Sequence, residues 1–196
     1  GTTNVGRSAF CRCENLRQCV LPDAIASVGE KAFWCCRKLE LTTMPCGLQE
    51  IGDGAFGYTA FCGDLVIPDG VRQIGTVAFR ETKLTSVTIP KSDGRINAGA
   101  FMECYQLKSV FIKDGVASVD GYAFEGCRNL THVVLPQTIA YVASTAFKGC
   151  GSICSVCFSG QVSLQEIFPE SYFNIGEINL DSSIKALSDG AMMGCS

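Results

Sequence analysis

Apolar residues along this chain fall into blocks whose internal spacing changes twice. The block from Cys127 shows the order most clearly: Leu130, Val133 and Leu135, then Pro136, then Ile139 and Val142, then Ala146-Phe147 and Cys150. The Val-x-Leu core alternates with period two, the pattern of a short strand with one buried face. Proline ends that strand, because it has no N–H to give to a ladder and its φ is fixed. Ile139 and Val142 sit three apart, which pins a tight return segment but is too short for a stable helix. Gly29, Gly52, Gly75, Asn97 and Asp120 share the slot that follows in their own blocks. All three residue types tolerate positive φ, so the slot predicts a forced turn. Ala143 departs from it.

The blocks are copies of one unit. Ala-Phe recurs at Phe10, Phe33, Phe56, Phe79, Phe101, Phe124 and Phe147, at intervals of 23, 23, 23, 22, 23 and 23, with degenerate copies at Tyr172-Phe173 and Ala191-Met192. The same frame gives Cys13, Leu16, Cys19, Leu21, Pro22, Ile25 and Val28. It also gives Cys36, Leu39, Thr42, Met44, Pro45, Leu48 and Ile51. Cys19 and Cys62 stand at core aliphatic positions of the unit. A unit of this size cannot cover its own apolar edge, so neighbours must stack on it. Residues 1–196 therefore read as a single solenoid of about eight coils, with 159–176 an irregular insertion. The chain opens within the pattern and without an initiator Met, and neither end carries an obvious polar capping repeat, which points to a segment of a longer protein or to ends covered by something else.

The L-x-x-I-x-L-P run followed by I-G-x-x-A-F-x-x-C resembles the BspA-like class of leucine-rich repeats, closely from Val5 to about Phe158 and again at Ile178, Leu180, Ile184, Leu187, Met192 and Cys195. That resemblance implies a right-handed coil with a parallel sheet on its concave side, short irregular or 3-10 return segments and little regular helix. At roughly 4.8 Å per parallel strand, eight coils make a rod about 40 Å long. The resemblance also implies adhesion, since such proteins are often cell-surface adhesins that bind matrix or host proteins.

Composition narrows the chemistry. Apolar residues make up 47% of the 196 and charged residues 18%, which excludes a disordered chain. A net charge of −3 argues against nucleic-acid binding, which needs a basic stripe. No apolar run is long enough to span a bilayer. Thirteen cysteines leave at least one thiol unpaired within a monomer. Cys13, Cys36, Cys104, Cys127, Cys150 and Cys195 each lie three residues after the Phe (or Met192) anchor, one sulfur per coil, and Thr59 and Thr82 fill the same slot. The column reads first as buried reduced thiols, with disulfide stapling between coils as the alternative. Reduced thiols favour an intracellular site or one within an assembly, whereas adhesion would require export into an oxidising exterior.

Two cysteine groups have the residue types of a metal site. Cys150, Cys154 and Cys157 have the C-x-x-x-C-x-x-C spacing of an iron–sulfur signature but fall on a ladder slot and an extended run. Cys11, Cys13, Cys35 and Cys36 sit on the same turn of two adjacent coils, where four thiolates could meet one zinc, although the spacing is no established motif. His132, the single histidine, lies on the outward side of a strand beside the Ser86, Ser109 and Ser155 column, with no acid to orient it. There is no P-loop or dinucleotide fingerprint, and Asn129-Leu130-Thr131 is an isolated sequon. The unit thus offers no catalytic or cofactor constellation.

The outward strand positions carry more information. One column runs Gln18, Leu41, Asp64, Ser86, Ser109, His132, Ser155, Glu177, and its neighbour Val20, Thr43, Val66, Thr88, Phe111, Val134, Cys157, Asn179. The second is apolar or β-branched over seven coils. Such residues suit a parallel strand whatever its task, but an aromatic flanked by small polar groups also has the make-up of an interface core. Val20, Thr43, Val66, Thr88, Phe111, His132 and Val134 are accordingly the candidate protein-binding residues. The leading reading is a non-enzymatic interaction scaffold or peripheral subunit. A cell-surface adhesin is the alternative, and a cysteine-based metal protein a more distant one.

Overall fold

A computed structural model describes residues 1–41, 43–91, 94–158 and 177–180, with Phe158 and the last four given by their backbone alone. The chain forms a β-solenoid with no helix among the described residues. The first strands are β1 (Asn4–Val5), β2 (Ser27–Val28), β3 (Glu50–Ile51), β4 (Cys62–Val66), β5 (Gln73–Ile74) and β6 (Lys83–Ile89). Then come β7 (Arg95–Ile96), β8 (Ser109–Ile112), β9 (Ser118–Val119), β10 (His132–Leu135), β11 (Tyr141–Val142), β12 (Ser155–Phe158) and β13 (Glu177–Leu180). Each coil runs through a two-residue strand, a turn bearing Ala-Phe and a longer extended run. Seven such coils are followed by β13.

Three ladders join the coils. The long strands form one parallel sheet in the order β13-β12-β10-β8-β6-β4. The two-residue strands make two more, β1-β2-β3-β5 and β11-β9-β7, set within return segments that are otherwise irregular. The turns supply the third ladder. Ser8, Phe10 and Arg12 donate their N–H groups to Glu30, Ala32 and Trp34 of the next coil at 2.7–2.8 Å, while Ala9, Cys11 and Cys13 bond back three residues. That alternation repeats through Gly126.

The turn ladder dictates the backbone. The nine positive-φ non-glycine residues among the described ones lie in two columns, one just before Ala (Ser8, Lys31, Val77, Tyr122) and one two after Phe (Arg12, Cys35, Tyr58, Glu81, Glu103). Gly54 and Gly99 complete the first column, and Gly126 and Gly149 the second. Left-handed geometry costs an ordinary residue roughly 1–2 kcal/mol, here offset by an N–H delivered to the neighbouring coil. The expected positive φ at Gly29, Gly52 and Gly75 is not found. Those glycines are there for space: a Cβ on Gly52 would lie 2.6 Å from Glu30 N, and one on Gly75 2.4 Å from Asp53 N.

Phe10, Phe33, Phe56, Phe79, Phe101, Phe124 and Phe147 stack in file, with centroids 5.1–5.5 Å apart and planes within 13° of parallel, all of them buried except Phe10, which is exposed. Phe61 meets Phe56 and Phe79 edge-on. It also corrects the frame of the third coil, where Phe61 is fully buried and Cys62 only half-buried. The aromatic enters one residue early, and Gly63 (φ 78°) absorbs the offset as a register shift against β6.

Two of the ladders are incomplete. The long-strand sheet starts only at β4, so the runs that carry Val20 and Thr43 are not strands. The short-strand sheet is interrupted between β5 and β7. There Asn97 Nδ2, rather than a backbone N–H, donates to Ile74 O at 2.7 Å. Position 93, outside the described residues, is Asp where other coils carry Ile25, Leu48, Val71, Val116 or Ile139. Thr42, the expected insertion, both degenerate anchors and Cys195 also lie outside the described residues.

Truncating the stack at its middle, Phe101→Ala, is expected to cost about 4 kcal/mol in a denaturant titration, the usual loss for a buried aromatic. Val77→Gly relieves a β-branched left-handed residue and should raise stability by about 1 kcal/mol. Gly75→Ala should lower it by about 3 kcal/mol, since the clash is with backbone. A neutral Gly75→Ala would contradict the close-approach account.

Candidate functional site

The in-register ladder fixes which side chains stand together outside. Asp64, Ser86, Ser109, His132, Ser155 and Glu177 are successive partners across the long-strand sheet, as are Val66, Thr88, Phe111, Val134, Cys157 and Asn179. From β4 onward these are the two columns the 23-residue spacing predicts. Alternation leaves Leu65, Val87, Val110, Val133 and Val156 inside, so their neighbours must face out. Phe111 keeps 42% of its surface exposed and Val66 62%, with Thr88 and Val134 half-buried between their neighbours.

The first two coils depart from the columns. Without the ladder, Val20 is 92% exposed, Thr43 is exposed, and Leu41, expected outside, is buried. The candidate face therefore comprises Val66, Thr88, Phe111, His132 and Val134, with Val20 and Thr43 outside its strands.

His132 Nδ1 lies 2.8 Å from Thr131 Oγ1, whose hydroxyl is also 3.1 Å from Lys108 O. Donation by that hydroxyl to the carbonyl leaves the ring N–H on Nδ1 as donor to Thr131. Asp64 accepts from Ser86 Oγ (2.7 Å) and Thr85 Oγ1 (2.8 Å), and these bonds hold its carboxyl below the usual range. Past the strand ends lies a groove of about 680 Å³ lined by Lys91, Lys113, Val134, Pro136 and Cys157 among others. Asp69 and Lys113 close an ion pair across it at 2.7 Å.

The cysteine column has a structural role. Cys36, Cys104, Cys127 and Cys150 are fully buried, and each thiol donates to the carbonyl of the preceding coil's Phe at 2.9–3.2 Å. Burial pushes Cys36 and Cys104 up to about 11. Thr59 satisfies the equivalent slot through Phe56 O (2.8 Å), and Thr82 Oγ1 lies 3.2 Å from Cys104 Sγ. Cys13 is the exception. It sits on the first described coil and is exposed. All twelve described cysteines are free thiols.

Neither proposed metal group converges. Cys150 points inward to Phe124 O, Cys154 is exposed, and Cys157 lies on β12. Cys36 is interior while Cys13 is exposed. Among the described residues no three His, Cys, Asp or Glu side chains are placed to hold a metal ion.

Sequence reasoning overlooked a second cluster, on the turn face. Trp34 packs over Gly54 and Gly57, where an added Cβ would come within 2.9 Å of its ring. It meets Tyr58 edge-on at 4.8 Å. Arg37 and Arg80 lie over Tyr58, and Arg80 is paired with Glu103 at 2.6 Å. The aromatic faces are thereby occupied from within. The residues one and two after each Phe, compared coil by coil, carry the signal.

A stack of parallel ladders closed by inward Leu, Val and Phe at a 23-residue period defines a leucine-rich repeat protein. The BspA type leucine rich repeat region, in six copies, matches residues 1–108 and 94–196, and the chain belongs to that family. A crystal structure of a leucine-rich repeat protein from Eubacterium ventriosum is 15% identical, with a TM-score of 0.55 over 98% of this chain and 80% of that one. One from Bacteroides ovatus is 18% identical over 98% and 68%, with a TM-score of 0.48. A leucine rich cell surface protein from Faecalibacterium prausnitzii is 20% identical over 99% and 73%, with a TM-score of 0.36. At 15% identity the likeness to the Eubacterium ventriosum protein is one of fold. No curated protein matches the chain. Among the described residues no helix is long and apolar enough to cross a membrane.

In native protein, a maleimide at pH 8 should label Cys13 and Cys154 within minutes and Cys46 more slowly, because the bond to Asp23 raises the Cys46 thiol. Cys36, Cys104, Cys127 and Cys150 should react only in denaturant. Native labelling of Cys104, read by peptide mass, would contradict the buried ladder.

Proposed function

We propose that this chain is a non-enzymatic protein-interaction scaffold, acting alone or as a peripheral subunit, and that it binds another protein through the outward face of its long strands. The observation that supports this is the aligned column Val66, Thr88, Phe111, Val134 and Cys157, which leaves an aromatic and a valine open to water. A buried Phe contributes roughly 1.5–3 kcal/mol over an exposed one, so a fold gains nothing by keeping Phe111 outside. An interface does gain, because aromatic anchors ringed by small polar groups dominate binding energy. Ser86, Ser109, His132 and Ser155 furnish that polar border. The adhesin reading differs in compartment rather than in the binding face.

A photo-crosslinking residue at position 111 should trap one discrete protein in an extract of the source cells, and the same residue at Tyr141 on the short-strand face should not. Phe111→Asp should weaken that partner by about tenfold or more while leaving the melting temperature unchanged. Equal adducts from both positions, or unfolding of Phe111→Asp, would remove Phe111 from the binding role.

A further inference from the structure

One thiol of the sulfur file is open to water. Cys13 is exposed and no hydrogen bond among the described residues holds its sulfur, whereas Cys36, in the same slot one coil on, is buried. The Cys36 thiol leans back toward the first described coil. It donates to Phe10 O at 2.9 Å, the carbonyl that also accepts the Cys13 N–H at 3.0 Å. The turns carrying the two cysteines are in register, their Phe10 and Phe33 rings stacked at 5.1 Å. Backbones at a ladder spacing of about 4.8 Å lie inside the Cα window of a disulfide. Further along the file the same arrangement brings two sulfurs together, since the Cys127 and Cys150 thiols are within hydrogen-bond reach of each other. That pair is wholly buried and closed to an oxidant. Register leaves the two other thiols of the turn without a facing sulfur: Cys11 stands against Trp34, and Cys35 between Arg12 and Tyr58.

We infer that Cys13 and Cys36 are a redox pair, which a small oxidised disulfide such as oxidised glutathione converts into a bond stapling the first two described coils. Rotation of Cys13 about its Cα–Cβ bond turns its sulfur from solvent toward Cys36. The Cys13 thiolate attacks one sulfur of oxidised glutathione, forming a mixed disulfide and releasing one glutathione thiolate. Cys36 then gives its proton to water and attacks the Cys13 sulfur, releasing the second. The two cysteine thiols lose two electrons and two protons, and oxidised glutathione becomes two glutathione thiols. Burial has pushed the Cys36 thiol up to about 11, which makes the second attack the slow step. The staple falls where the stack lacks a seam. These two coils share short strands, turns and a bond from Glu40 N–H to Arg17 O at 3.0 Å, but no long-strand ladder. Cys13 and Cys36 sit at the head of the two unladdered runs, away from Phe111, so the bond is independent of the docking face.

The test is to hold the intact chain in oxidised glutathione at about pH 8.5, block the remaining thiols in acid and digest without reduction. Trypsin cuts after Arg12, Arg17, Lys31 and Arg37, so the bond should appear as residues 13–17 joined to residues 32–37, with Cys11 on a separate peptide. Fragmentation of the joined peptides assigns the sulfur to Cys36 or Cys35 without any variant. The joined species should vanish on reduction and in Cys13→Ser and Cys36→Ser, and persist in Cys35→Ser. In Cys36→Ser the hydroxyl can still meet Phe10 O, as that of Thr59 meets Phe56 O, and far-UV spectra establish that each variant is folded. Oxidation should raise the melting temperature of the native chain by about 5 °C or more, and leave that of Cys13→Ser unchanged. A lasting glutathione adduct on Cys13, or its pairing with Cys11 or Cys35, would overturn the assignment. So would a bond among Cys104, Cys127 and Cys150 formed in its place. The joined peptides without any gain in melting temperature would overturn the staple.

Discussion

Two rings can lie flat on one another only if the backbones that carry them keep a single separation, and in this protein that separation is set by hydrogen bonds from each coil to the next. Parallel strands settle about 4.8 Å apart, and the phenylalanine centroids, at 5.1–5.5 Å, sit on that spacing with a small lateral offset. The period of the sequence, the left-handed turns and the glycines beside the turn all serve this one distance. A coil that drifted from it would lose ring contact and ladder bonds together.

The same spacing produces the outer surface. Because the coils are in register, any position of the unit becomes a straight file of side chains on the exterior. Most files are mixed and polar. The one through Val66, Thr88, Phe111 and Val134 is not. A repeat protein of this kind can vary its outward positions while the inward ones stay fixed.

Much of this was legible in the residues. Period, strand and proline positions follow from apolar spacing, and so do the outward columns from β4 onward. The rest escaped for identifiable reasons. Positive φ at Arg12, Glu81 and Glu103 is imposed by bonds to the next coil, and nothing in those side chains announces it. Glycine serves two purposes, and Gly52 and Gly75 proved to be small rather than left-handed. Cys13 shares its slot with Cys36, yet one is exposed and the other buried, because burial is set by the packing around a slot and not by its place in the repeat. Val20 and Thr43 hold the right places in the repeat, yet the long ladder that would have presented them begins only two coils later.

The interruptions in the ladders are staggered. Between the first three coils the long-strand sheet is missing while the short strands and the turns are joined. Between the fourth and fifth the short strands part while the long strands and the turns hold. Like courses of brick whose joints never line up, the rod has no level among these coils at which fewer than two seams must be severed, so each local irregularity is tolerated without becoming a plane of fracture.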